Sequence, residues 1–110
     1  VNYIKTKKFT TAITIEDYLD ITLYFEKNKI IKFALNYRGL IGGKWREIYR
    51  VDNFHGFLHE QRFWRSKEPI PLKQGSKSNE NIIEGFTDEI LLNFMRYKEY
   101  FKKSIKGEKI

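Results

Sequence analysis

The run Asp20-Ile21-Thr22-Leu23-Tyr24-Phe25-Glu26-Lys27-Asn28-Lys29-Ile30-Ile31-Lys32-Phe33-Ala34-Leu35-Asn36-Tyr37-Arg38 alternates twice. Ile21, Leu23 and Phe25 fall on one side of an extended chain. Ile31, Phe33, Leu35 and Tyr37 do the same against Lys32, Asn36 and Arg38. Successive side chains of a strand point to opposite faces, so each half reads as a strand buried on one face. Lys27-Asn28-Lys29 lies between them, and Asn tolerates the positive φ of a tight turn, so the run predicts a β-hairpin. Working outward, Phe9, Thr11, Ile13 and Ile15 predict an earlier strand. Gly39 and the Gly42-Gly43 pair mark the next turn, leading to a strand from about Lys44 to Val51 and another from about Phe57 to Arg65.

Beyond Pro69 and Pro71 the composition turns basic and polar through Lys73-Gln74-Gly75-Ser76-Lys77-Ser78-Asn79, and residues 66–79 read as a loop. The period then changes. Ile83, Phe86, Ile90, Phe94, Tyr97 and Phe101 recur at helical spacing, with Leu91 and Tyr100 widening the stripe. The helix is expected over about residues 80–104. Ser78/Asn79 or Thr87-Asp88-Glu89 supplies its start, with Gly85 a weak point between them. An aromatic stripe at this spacing reads as the face packed on the sheet. The fold expected is α+β: a single domain over residues 1–110, with a mostly antiparallel sheet of about four to five strands. The sheet is a meander of hairpins over about residues 9–65, packed against a C-terminal helix.

The chain has 110 residues, enough for one core, and its 41% hydrophobic and 16% aromatic content is that of a globular protein. Lys plus Arg outnumber Asp plus Glu by 21 to 14, a net charge of +7. That excess suits an anionic partner, or serves solubility alone. The absence of cysteine excludes disulfides and thiolate metal sites, and two histidines alone make a poor zinc site, so no metal is expected. The lone glycine among lysines in the 73–79 loop is no phosphate-binding fingerprint, and no cofactor is expected. No apolar run reaches membrane-spanning length and Val1–Lys5 has no leader pattern, so the expectation is a cytoplasmic protein with no membrane partner.

Both histidines lie in Tyr49-Arg50-Val51-Asp52-Asn53-Phe54-His55-Gly56-Phe57-Leu58-His59-Glu60-Gln61-Arg62-Phe63-Trp64-Arg65. Histidine is the side chain that most readily exchanges protons near neutrality, so acid–base chemistry is sought here. Asn53-Phe54-His55-Gly56 suits a three-residue hairpin loop with Gly56 left-handed. That register would set Asp52 opposite Leu58, Val51 opposite His59, Arg50 opposite Glu60 and Arg46 opposite Trp64. One face would then carry Arg50, Asp52, Glu60, Arg62 and Trp64, and the other Glu47, Tyr49, His59, Gln61 and Phe63. A one-residue slip exchanges the faces. On this register an Asp52–His59 relay is disfavoured, His59 sits with Glu47, Tyr49 and Gln61, and Asp52 braces the turn carrying His55. Each histidine also has a plain reading: His55 as an exposed turn residue, His59 as a hydrogen-bonded, half-buried one.

Cleaving RNA without a metal takes a base for the 2′-hydroxyl, an acid for the leaving oxygen and cations around the phosphate. His59 and His55 are the candidates for base and acid, with Asp52 to orient them. Arg50, Arg62 and Arg65 would hold phosphate, and Trp64, Phe57 and Phe54 would stack on unpaired bases. A metal-dependent nuclease is less well served, since only Asp52 with Glu60 or Glu47 lies near the histidines. Asp17, Asp20 and Glu16 read as a solvated strand edge or a short-helix terminus.

The run from Tyr49 to His59, through Asp52, Asn53, His55 and Gly56, resembles the TumE-like toxin group and related small prokaryotic families. Their pattern is Asp-Asn-x-His-Gly-x-x-His-x-His after antiparallel strands. Here Gln61 stands at the final His. The similarity covers roughly residues 20–65 plus the following helix. It implies a compact α+β toxin paired with an antitoxin protein and acting on RNA, with Asp52, His55 and His59 at its centre and Asn53 in the motif. Three functions thus stand as expectations. The first is a metal-independent ribonuclease of a toxin–antitoxin system. The second is a non-catalytic basic module for nucleic acid or an acidic protein. The third is a structural protein, for instance a homodimer.

Overall fold

The computed structural model describes residues 4–108, so Val1–Tyr3, part of the segment read as lacking a leader, lie outside the described residues. The strands are β1 (Ile4–Thr14), β2 (Asp17–Glu26), β3 (Lys29–Ile41), β4 (Lys44–Asp52), β5 (His59–Arg62) and β6 (Ile70–Pro71), and the helix is α1 (Asn79–Glu108). All six strands form one sheet in chain order, antiparallel throughout, with α1 packed on one face. The α+β meander matches the expectation. It has more strands than the four to five expected, because β6 forms inside the segment read as loop. It also begins at Ile4, earlier than residue 9.

The Asp20–Arg38 hairpin pairs as its alternation requires from Leu19 opposite Tyr37 through Ile21 opposite Leu35 to Leu23 opposite Phe33. A bulge then sets Phe25 opposite Ile30, so Ile30 and not Ile31 packs against the core. Lys27 and Asn28 both take positive φ, 51° and 65°, as a two-residue primed turn demands. One sheet face thus collects Leu19, Phe33, Leu35, Tyr37, Tyr49 and Val51. Against it α1 sets Ile82, Ile90, Tyr97 and Phe101 to form the core. Each such buried side chain contributes roughly 1.5–3 kcal/mol relative to exposure. A bulge on β4 between the Tyr37–Tyr49 and Arg38–Glu47 pairs leaves Ile48 and Tyr49 buried in succession.

The Ser78 hydroxyl accepts from the Asn81 N–H and caps α1, and the helix runs through Gly85 without a break. Asn79 then donates to the Ile30 carbonyl at 2.8 Å, tying the helix start to β3. At the other end Asp17 is buried rather than solvated. It accepts from Tyr37 and Thr14 hydroxyls, each at 2.6 Å, and pairs with Lys98 of α1 at 3.0 Å. The expected acidic patch is therefore a clamp between the β1–β2 turn and the helix. Asp20, its neighbour on the opposite face, pairs with Arg38. No described helix is long and apolar enough to cross a membrane.

Candidate functional site

The turn between β4 and β5 departs from the expected register. Gly56 does take positive φ, 85°, but the connection spans residues 53–58 and Asp52 pairs directly with His59. Arg50 faces Gln61, Val51 faces Glu60, and Tyr49 faces Arg62. The cause is Asn53. Its side-chain oxygen accepts from the Phe33 N–H at 2.8 Å and its backbone N–H donates to the Phe33 carbonyl, so Asn53 extends the β3 pairing and β5 begins one residue later. The slip exchanges the faces. Asp52 and His59 now share the face that α1 leaves open, while Tyr49 and Glu60 turn toward the helix.

Asp52, 2% exposed, is the hub of this cluster. One carboxylate oxygen accepts from Arg50 Nε at 2.7 Å; the other accepts from the Phe54 N–H at 3.0 Å and lies 3.1 Å from His59 Nε2. His59, 3% exposed, sets its other ring nitrogen 3.1 Å from the Phe57 carbonyl. Both ring nitrogens are therefore engaged within the buried loop, one with the Asp52 carboxylate and the other with the Phe57 carbonyl. A general base must offer a lone pair to its substrate, and His59 offers neither nitrogen. His55 is the exposed ring, lying 5.8 Å from His59 at an interplanar angle of 25°.

The other expected residues scatter. Tyr49 does not join His59: its hydroxyl donates to Glu60 at 2.6 Å on the helix side. Burial first, and then the hydrogen bond to that carboxylate, push the Tyr49 hydroxyl far above its usual 10.0, so it stays a donor. Arg62, expected to hold phosphate, donates to Glu60 at 3.0 Å on the same side. Trp64 stacks on Tyr97, centroids 5.0 Å apart, and Arg62 rather than Arg46 lies over its ring at 6.0 Å. Glu47 is exposed toward the far end of β4, opposite Arg38. Gln61 donates to the Lys67 carbonyl, and Arg65 is exposed in the turn after β5. Among the described residues no three His, Asp or Glu side chains gather as a metal site.

What the open face assembles instead is aromatic. Tyr18 stacks on Trp45, centroids 4.6 Å apart, with the Arg38 guanidinium 4.9 Å and 5.3 Å from the two rings. Arg38 is held by Asp20 at 2.7 Å, and Thr10 donates to the same carboxylate. Toward the loop, Tyr24 stacks on Phe54 at 5.2 Å with Arg50 5.6 Å over the Phe54 ring. Tyr18, Tyr24 and Trp45 were not among the expected site residues. The signal was there, since Tyr18 and Tyr24 occupy the polar half of the β2 alternation, where a solvated strand has no need of aromatics.

A protein-family model described as "Domain of unknown function (DUF7718)" matches residues 4–107, and the chain belongs to that family. No curated protein and no solved structure matches it.

Proposed function

We propose that this member of a family of unknown function binds single-stranded RNA along the sheet face that α1 leaves open. The observation that carries this reading is the pair of aromatic–arginine stacks, Tyr18/Trp45/Arg38 and Tyr24/Phe54/Arg50, on one uncovered face. Unpaired bases stack on aromatic rings and guanidinium planes, and sheet faces bearing such rings suit single strands better than duplexes. The net charge of +7 favours the approach of a polyanion.

A second reading, a metal-independent ribonuclease of the toxin type, has one specific observation in its favour. His55 is exposed on the ring of His59, which Asp52 and the Phe57 carbonyl brace from both sides. In that reading His55 exchanges the proton, Arg50 contacts phosphate, and an antitoxin would cover the same face. One experiment separates the two. Labelled single-stranded RNA in EDTA is incubated with the wild type, Tyr24→Ala and His55→Ala. Salt-sensitive binding that weakens in Tyr24→Ala, without cleavage, supports the binding module. Cleavage abolished by His55→Ala supports the ribonuclease. RNA binding equal in wild type and Tyr24→Ala counts against the open face.

A further inference from the structure

The face of α1 turned away from the sheet holds the most exposed large apolar side chains of the helix. Leu92 is 84% exposed and Met95 67%, with Leu91 beside them. The helix packs on β3 and β4 through Ile82, Ile90, Tyr97 and Phe101. At about 100° per residue, Leu92 lies on the far side from Ile90, and three- and four-residue steps from it reach Asp88, Met95 and Arg96. Contiguous apolar side chains left bare on a folded surface mark a contact site more often than isolated ones do.

Charge identifies what covers this face. Over residues 79–95 the charged side chains are Glu80, Glu84, Asp88 and Glu89, with no Lys or Arg. Over residues 96–106 they are Arg96, Lys98, Lys102, Lys103 and Lys106, with Glu99 the one acid. Such a gradient suits the helix dipole, but that effect is confined to the terminal turns, which hold only Glu80 and Lys106. Lys98 is taken by Asp17 and Lys102 by Glu99. Glu84, Asp88, Arg96 and Lys103 enter no ion pair among the described residues. Asp88 and Arg96 stand about 12 Å apart along the helix, too far to meet each other.

We propose that this face pairs with α1 of a second copy of the chain, antiparallel about a two-fold axis near Leu92 and Met95. In an antiparallel pair the acidic half of each helix lies beside the basic half of the other, and a two-fold contact makes that match twice. A parallel pair would oppose like charges at both ends. Leu92 and Met95 of both copies close the centre, and the unpaired Glu84, Asp88, Arg96 and Lys103 find partners around it. The open sheet faces of the two copies then point outward, so the dimer neither rests on the RNA-binding reading nor blocks it.

The test is sedimentation velocity of the intact chain at low salt from about 1 to 300 μM, the range suited to a contact with a small apolar centre. Three double variants accompany the wild type: Leu92→Gln with Met95→Gln, Glu84→Lys with Asp88→Lys, and Arg96→Glu with Lys103→Glu. All six positions are exposed, and circular dichroism confirms that each variant folds. The expected result is a concentration-dependent dimer, weakened about tenfold or more in each double variant. One charge variant raises the net charge and the other lowers it, so general repulsion does not account for weakening by both. Mixing the two charge variants should restore association, since an all-basic helix then meets an all-acidic one. A monomer at every concentration overturns the proposal. So does a dimer indifferent to the variants, or a mixture that stays apart. A parallel pair, with like halves already opposed, would not weaken on reversal of one half, and that result overturns it too. Tyr24→Ala, on the open sheet face, is expected to dimerise as the wild type does.

Discussion

Asp52 and Asp17 are both buried acids, and they hold different parts of the molecule. Asp52 joins Arg50, His59 and the Phe54 N–H, so Asp52→Ala leaves a buried imidazole facing nothing and loosens the His55 loop. Breaking a buried ion pair by removing one partner costs about 3–5 kcal/mol. Arg50 can turn to solvent, so the low end is expected, read as a fall in the urea midpoint at unchanged slope. Asp17 governs the acid limb instead. Burial, the largest single influence, acts to raise it. The Thr14, Tyr37 and Lys98 hydrogen bonds and the Lys98 charge outweigh burial and hold it below its ordinary 3.8. Asp20 is lowered likewise: burial opposes, and Arg38 and Thr10 prevail. The folded chain therefore binds these protons more weakly than the unfolded chain. The stability they contribute is complete above about pH 3.8 and is lost as pH falls through the lower folded values. Urea midpoints measured from pH 5 down to pH 2 should fall along that limb, and Asp17→Asn should flatten it.

At the scale of elements, two glycines make opposite predictions from the same added methyl. A Cβ at Gly39 would lie 2.8 Å from Ile48 Cδ1 and 3.1 Å from the Asp17 carboxylate, so β3 approaches the Asp17–Tyr37 bond only without a side chain. Gly39→Ala is expected to destabilise by about 1–3 kcal/mol, as overpacked cores do. A Cβ at Gly85 would meet nothing within 4 Å, and the position is helical and exposed. Gly85→Ala should stabilise by about 1 kcal/mol, a rise in Tm of about 4–8 °C. Sequence alone marked Gly85 as a weak point and could not see the crowding at Gly39, which depends on a strand and a turn remote in the chain. The same distinction runs through the fold. The β2–β3 hairpin was legible because alternation and turn chemistry are local. The β4–β5 register was not, because Asn53 is recruited by Phe33, 20 residues away, and no local pattern records that bond. One displaced residue then exchanged the sheet faces. The expected register set Asp52 and His59 apart though they pair, while Tyr49, Arg62 and Trp64 turn to the helix side.

Over the whole molecule, α1 lies on β3 and β4, leaving the opposite sheet face bare along a body 54 × 28 × 24 Å in extent. The division of labour on that face sets how RNA binding should depend on salt. Arg38 and Arg50 are already neutralised by Asp20 and Asp52, so their part is to offer guanidinium planes beside aromatic rings. Lys8, opposite Thr22, and Lys32, opposite Tyr24, share the face and are exposed, and these are the groups that meet phosphate. Each lysine that displaces a counterion from a single strand adds roughly 0.7 to the slope of log affinity against log salt. Lys8→Gln and Lys32→Gln should each reduce that slope by about this amount while leaving base preference unchanged. Tyr24→Ala should cost about 1–3 kcal/mol, the worth of one stacked base, with the slope intact. Lys73→Gln, in the loop beside the start of α1, should change neither. Fluorescence anisotropy with a short labelled oligonucleotide across a salt series reads all four variants. A slope lost with Tyr24 rather than with the lysines would mean that RNA approaches this molecule from another side.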